Sequence, residues 1–218
     1  MPLRHAEDTP NAALTYGSYL QIPELLALQR PLSDPPHHDE LLFIVIHQVY
    51  ELWFKELLHE LDAAVAFLNS DDLLKVAKAF RRIDAIQHVL ELQIDILETM
   101  TPQDFNAFRS RLNPASGFQS AQFREIEFRC GLRGDQNALK HLKITAEERG
   151  NLDRRLSEPT LPDAVRAMLA RRGFDTSSHD ALLAAYRTVY EHEDEHYALY
   201  LLLEDLIEFD ERFLLWRG

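Results

Sequence analysis

The sequence predicts an all-α fold, a single domain over residues 1–218 made of long antiparallel helices. Glycine is scarce, 7 in 218 residues, while Leu, Ala, Glu and Arg abound, a balance that disfavours sheets with their many turns. From about Asp39 the chain runs for more than twenty positions without Gly or Pro, as a long helix requires. Thr or Asp repeatedly stands just before runs whose apolar residues recur at spacings of three and four, the pattern of a capped amphipathic helix. No stretch sustains the period-two alternation of β-branched residues that a strand would show.

In chain order, residues 1–13 are expected to form a loosely ordered arm. Tyr16 and Tyr19 then flank a Gly-Ser pair, and their polar-tipped rings suit either packing or a contact role. Pro23 to Gln29 predicts a short helix with proline in its first turn. Pro35-Pro36 ends the connection from Leu32, and the central helix runs from about Asp39 to Asp62. Its half from Leu41 to Phe54 is apolar nearly all round, so that half is expected to be enclosed on most sides, with His47 at its middle. Glu51 and Lys55, spaced i,i+4, are expected to support each other on a more polar side. Asp71 or Asp72 caps a second long helix reaching about Glu98, with Ile83, Ile86, Leu90, Ile94 and Leu97 on its packing face.

Thr101-Pro-Gln-Asp starts the next helix, with Thr as cap, Pro at the first position and an acidic residue three beyond. Phe105 and Arg109 lie four apart on it and so share a face. Asn113-Pro-Ala-Ser-Gly breaks it, and a further helix is expected from about Ser120 to Cys130. Gly131 to Asp135 reads as a polar loop. Thr145-Ala-Glu-Glu and Thr160-Leu-Pro-Asp open two more helices, the second ended by Gly173. Asp180 to Trp216 contains neither Gly nor Pro, which predicts one helix of about 36 residues, roughly 54 Å long.

A formal net charge of −13 argues against nucleic acid as a partner, since a duplex-binding surface needs a concentrated basic face. The pairs Arg81/Arg82, Arg154/Arg155 and Arg171/Arg172 are isolated from one another and expected to be solvated. One cysteine, Cys130, allows no internal disulfide and suits a reducing compartment. Met1 to Asn11 is polar and lacks the apolar segment of a secretory signal. The longest unbroken apolar run, Leu41 to Ile46, is far short of a membrane span, so a cytoplasmic protein is expected.

Several constellations bear chemistry. Glu56-Leu-Leu-His59 and Glu193-Asp-Glu-His196 are both Glu-x-x-His on predicted helices, the pattern by which a bundle supplies a di-iron centre when two further Glu, here Glu91 or Glu98 and Glu127, join. His192 and His196 are spaced to share a zinc ion, without nearby Cys or a second His pair to complete it. Arg109 could clamp a carboxylate through two donors while Phe105 packs on an apolar group. His47 is either a core histidine with a satisfied hydrogen bond or an imidazole facing a ligand in a dry cavity. Phosphate-cradling glycine loops, nucleophile elbows and zinc ribbons are missing from the sequence.

The run from Leu32 to Glu56, Leu-Ser-Asp-Pro-Pro-His-His-Asp-Glu-Leu-Leu-Phe-Ile-Val-Ile-His-Gln-Val-Tyr-Glu-Leu-Trp-Phe-Lys-Glu, resembles the tryptophan 2,3-dioxygenase family. So do Tyr16-Gly-Ser-Tyr-Leu, Leu97-Glu-Thr-Met-Thr-Pro-Gln-Asp-Phe, Phe108-Arg, Pro114-Ala-Ser-Gly-Phe-Gln-Ser, and Glu195-His-Tyr through Leu215-Trp-Arg. The similarity extends over nearly the whole chain. It implies an all-helical haem (haem b) enzyme, usually a homotetramer, that adds both atoms of O₂ across the indole C2–C3 bond of L-tryptophan to give N-formylkynurenine.

By position, the resemblance implies that His47 is the catalytic distal histidine, hydrogen-bonding the indole N–H, with Phe43 lining the same pocket. Arg109 matches the residue that binds the substrate carboxylate, Phe105 the aromatic beside it, and Ser116 a pocket residue near the haem. Tyr16 and Tyr19 match tyrosines that reach a neighbouring subunit's site. The substrate-binding set expected on this basis is Phe43, Ile44, Val45, Ile46, His47, Phe105, Arg109, Tyr16 and Tyr19. In the family a haem-ligating histidine and a Gly/Thr-rich loop follow soon after Trp-Arg; here Arg217-Gly218 are the last residues, so no metal ligand is assigned and the iron-ligating segment is expected to be absent. A non-catalytic helical oligomer that binds an indole amino acid, and the di-iron bundle, are the other expectations.

Overall fold

The structure, a computed structural model, describes residues 13–134 and 141–217; the arm expected over residues 1–13 lies, but for its last residue, outside them. The described residues form helices and no strand. These are α1 (Tyr16–Leu20), α2 (Ile22–Leu25), α3 (His38–Asn69), α4 (Leu73–Leu97), α5 (Pro102–Leu112), α6 (Ala121–Arg129), α7 (Ala146–Ser157), α8 (Leu161–Arg171), α9 (His179–Glu191) and α10 (Tyr197–Arg217).

The caps fall where the sequence places them. Asp72 accepts from Lys75 N at the start of α4, and Thr101, Thr145 and Thr160 each form a reciprocal capping box with the acidic residue three positions on. Past α8, Gly173 adopts φ +91°, a conformation glycine reaches without steric cost. The central helix is longer than expected, 32 residues. The helix expected over Pro23 to Gln29 is shorter, Ile22–Leu25, and a separate turn capped by Thr15 precedes it.

The single helix expected from Asp180 to Trp216 is instead two, interrupted by turns over 192–196. Glu191, Glu193, Asp194 and Glu195 crowd like charges where one more helical turn would stack them, and His192 leaves helical geometry at φ −125°, ψ 48°. Val189 and Leu199, on either side of the break, are both buried.

A short link joins α3 to α4 as an antiparallel hairpin, and α10 lies along α4 in the same direction, with Phe209 against Phe80 and Arg212 against Asp84. Leu57, Leu61 and Leu68 of α3, Ile83 and Leu90 of α4, Met168 and Leu169 of α8, and Phe213 of α10 are fully buried and form one core. By contrast the α3 half from Leu41 to Phe54 is not enclosed: Leu41, Val45 and Leu52 remain exposed.

The paired arginines are not simply solvated, because several are drawn into ion pairs that tie the outer helices to α3. Arg155 is 5% exposed and donates to both oxygens of Asp62 at 2.6 and 2.7 Å and, through Nε, to Glu125 at 3.1 Å. Arg129 also donates to Asp62, and to the Pro159 carbonyl at 2.8 Å. Arg171 donates to Asp71 at 3.2 Å and Arg82 pairs with Glu60. Burial works to raise the Asp62 carboxyl, but the hydrogen bond and charge of Arg155, then Arg129, outweigh it and hold it below the ordinary carboxylate range. Removing one member leaves the others uncompensated. Arg155→Met is expected to lower the unfolding free energy by about 3 kcal/mol, the lower end for a buried pair because Asp62 has an exposed edge, as measured by urea unfolding.

Candidate active site

The site forms at the N-terminal half of α3, where α5, the loop after it and α6 converge. His37 caps α3 by accepting from Asp39 N at 3.3 Å. Glu40, fully buried, then reaches back to the incoming chain, accepting from Leu32 N at 2.6 Å, from Ser33 N at 3.0 Å and from the Ser33 hydroxyl. Burial pushes the Glu40 carboxyl up, and these hydrogen bonds outweigh it, so its pKa lies below the ordinary 4.5. Further along, Gln48 donates to the Leu28 carbonyl at 3.2 Å and so holds the segment after α2 beside the turn that carries His47.

Ring contacts link His47 to Arg109. Phe43 and His47 are 4.0 Å apart between centroids, Phe43 and Phe105 stack at 5.6 Å, and the Arg109 guanidinium lies over Phe105 at 5.6 Å. Phe108, buried beneath, meets both Phe43 and Phe105. The structure therefore brings together the imidazole, the two phenyl rings and the guanidinium that the sequence singled out. A cation over a ring face is attracted by its quadrupole, which holds an otherwise exposed arginine in place.

The His47 ring has a defined role for each nitrogen. Nδ1 lies 2.7 Å from the Phe43 carbonyl, which can only accept, so in the neutral ring Nδ1 carries the proton and Nε2 is an acceptor. His47 is thus partnered on one side and available on the other, and the ring borders two hollows. One, of about 850 Å³, is lined by Phe43, Leu112, Lys55, Lys143, Glu147 and Asn151 among others. The other, of about 590 Å³, is lined by Tyr50, Phe54, Leu97, Phe123, Arg124 and Trp216. His47, Glu51, Ser116, Gly117 and Ser120 border both.

The loop reaches that position because Asn113-Pro114 ends α5 and Ser120 caps α6, accepting from Phe123 N at 3.1 Å. Gln119 folds the loop on itself by accepting from Ser116 N at 3.2 Å. Glu51 does not pair with Lys55; it accepts from Gln122 Nε2 at 2.8 Å, with the Glu51 carbonyl taking the same group at 2.9 Å, which fastens α6 to α3 one turn past His47.

Other expected site residues lie elsewhere. Phe105 and Arg109 border neither hollow and are linked to His47 through the Phe43 ring; Ile44, Val45 and Ile46 border neither as well, because the helix turns them off the Phe43–His47 face, leaving Ile46 buried and Val45 exposed. Tyr16 and Tyr19 are exposed on α1. The Glu-x-x-His pairs do not converge: among the described residues no three His, Cys, Asp or Glu side chains are placed to hold a metal ion, His59 and Glu193 are exposed, and Glu127 pairs with Arg124. Cys130 is a free, half-buried thiol.

Residues 4–173 match the family model for tryptophan 2,3-dioxygenase. The chain is 50% identical over 211 residues to the tryptophan 2,3-dioxygenase of a Nocardioides species, covering 95% of the chain and 79% of the relative. It is 44% identical to the protein so named in Herpetosiphon aurantiacus, covering 94% and 82%, and 38% identical to that of Xanthomonas euvesicatoria, covering 94% and 72%. The chain belongs to the tryptophan 2,3-dioxygenase family.

For this member of the tryptophan 2,3-dioxygenase family, the sequence reading missed Tyr50, Phe54, Phe123 and Trp216 as walls of the smaller hollow. The signal was present for two of them, since His47, Tyr50, Glu51 and Phe54 fall at i, i+3, i+4 and i+7 on one face of α3.

Glu40 offers a test of how the start of α3 is held. Its depressed carboxyl stabilises the fold above pH 4.5, and this is lost as pH falls through the lower folded-state value. Glu40→Gln is expected to cost about 1–3 kcal/mol at neutral pH, and the gap to the parent to narrow as pH falls below 4.5, in urea titrations across pH.

Proposed function

We propose that this chain is a haem-dependent dioxygenase that cleaves the indole C2–C3 bond of L-tryptophan with O₂ to give N-formylkynurenine, acting as a homo-oligomer, a tetramer by family resemblance, in the cytoplasm. The observation that carries the reading is the His47 ring, its Nδ1 committed to the Phe43 carbonyl and its Nε2 left as an acceptor on the face of a partly aromatic hollow. Indole has one N–H donor, and a lone acceptor in an apolar setting reads it.

Arg109, steadied over Phe105, supplies a two-donor fork for the amino-acid carboxylate. Phe43, on the wall of the larger hollow, gives an apolar ring against which indole can pack, and Phe105 stacks on Phe43. His47 and Arg109 together fix which end of the substrate faces which wall, and orientation of this kind supplies much of an enzyme's rate. The lining of the smaller hollow fits the flat macrocycle of haem, with no ligand to its iron assigned among the described residues. Tyr50, Phe54, Phe123 and Trp216 offer ring faces and edges to a flat macrocycle, and Arg124, Ser116 and Ser120 offer polar groups at the margin of the same hollow. When bound, haem would supply the O₂ chemistry that side chains cannot.

Leu41, Val45 and Leu52 on α3, and Tyr16 and Tyr19 on α1, expose apolar surface suited to a neighbouring subunit. The single cysteine, and the lack among the described residues of a helix long and apolar enough to cross a membrane, accord with the proposed compartment.

With haem supplied, His47→Ala is expected to lower kcat/KM for L-tryptophan by about 10²-fold, with a smaller loss for the N1-methylated substrate, which has no N–H to read. Arg109→Met is expected to raise KM by about 10 to 100-fold with kcat less affected, and to leave turnover of the decarboxylated amine unchanged. Both follow from steady-state rates of formylated product. Equal activity of His47→Ala and parent would refute the assignment.

A further inference from the structure

Arg212 makes ion pairs with three carboxylates where α10 nears its end. Nε lies 2.8 Å from Asp84 Oδ1, Nη1 lies 3.4 Å from Glu91 Oε2 and Nη2 lies 3.2 Å from Glu208 Oε1. Asp84 Oδ1 and Arg212 Nε are shielded from solvent and have each other as ion-pair partners, although their alignment is too poor for a hydrogen bond. Asp84 and Glu91 stand two turns apart on one face of α4, so a planar guanidinium spanning both fixes α10 in height and in rotation.

Trp216 lies one turn beyond Arg212 on α10. It stacks on Tyr50 with centroids 6.3 Å apart and planes 18° apart, and meets Phe54 and Phe123 edge-on at 5.3 and 5.1 Å. The Tyr50 hydroxyl donates to the Leu90 carbonyl at 2.7 Å, beside Glu91, and burial raises the phenol pKa above its ordinary 10.0, so it stays a donor. One short stretch of α4 therefore holds both sides of the stack: Leu90 holds Tyr50 from α3, and Glu91 holds Arg212 one turn before Trp216.

We propose that Arg212, bridging Asp84 and Glu91, is a positioning residue for the cofactor hollow: it sets the end of α10 so that Trp216 forms the wall that Tyr50, Phe54 and Phe123 complete. The inference rests on the haem reading for what the hollow holds, but not for the position of Trp216. A lysine would keep the charge and lose the fork, and a methionine would keep the length and lose both.

The test uses the full chain carrying Trp53→Phe, so that emission reports Trp216 alone. Arg212→Lys, Arg212→Met and the triple variant Arg212→Met/Asp84→Asn/Glu91→Gln, in which all three side chains are uncharged, are compared by helical signal, thermal melting, acrylamide quenching of Trp216 and haemin titration. Folded Arg212→Met and triple variants are expected to show greater quenching of Trp216 and a haemin dissociation constant raised about tenfold, the size typical of lost outer-shell support, with Arg212→Lys between them and the parent. A folded triple variant with parental quenching overturns the proposal. If the triple variant loses its helical signal, Arg212→Lys decides, and parental quenching there overturns it. A parent that takes up no haemin would refute the haem reading, while the quenching would still decide the role of Arg212.

Discussion

The backbone ladder of α3 runs unbroken for 32 residues and joins two regions with different demands. At one end Leu57, Leu61 and Leu68 are sealed in the core; at the other Phe43 and His47 border open hollows. A continuous helix is stiff, so burial of the leucines fixes where the imidazole stands, and the Phe43 carbonyl one turn back fixes how it is protonated. Breaking the ladder between Phe43 and Leu57 would separate the chemistry from the free energy that holds it in place.

Each neighbouring element is attached to this helix in its own way. The α5 helix is held by ring contacts from Phe105 and Phe108 to Phe43, and α6 by the amide of Gln122 on Glu51 and by Arg129 on Asp62. The last turn of α10 is held by Trp216 against Tyr50 and Phe54. Ring contacts thus attach α5 and α10, whereas side-chain hydrogen bonds and ion pairs attach α6, and charged groups such as Glu51, Lys55 and Arg124 share the walls of the hollows with the rings.

The helices were legible because their starts are local chemistry. Thr101, Thr145 and Thr160 bond to backbone within three residues, and no distant contact is needed to read that. The break at 192–196 was not legible from Gly and Pro, because no helix breaker marks it; what marks it is the crowding of like charges at Glu191, Glu193, Asp194 and Glu195. His47, Phe43, Phe105 and Arg109 were singled out by spacing and by resemblance, and they do lie together. Ile44, Val45 and Ile46, expected with them from the resemblance, lie off that face, since a helix shares a face at three and four rather than at one and two. The burial of Arg155 depends on Asp62 and Glu125, 93 and 30 positions away, and no local pattern carries such a contact.

Burial, and the nearby Asp210 carboxylate, push the Cys130 thiol well above its ordinary value, so little thiolate forms at neutral pH. The chain is therefore close to a cysteine-free background for labelling, since alkylating reagents attack the thiolate. A cysteine introduced on an exposed helical face would react first, and a fluorophore or spin label could be attached there while Cys130 stays in place within the packed end of α6.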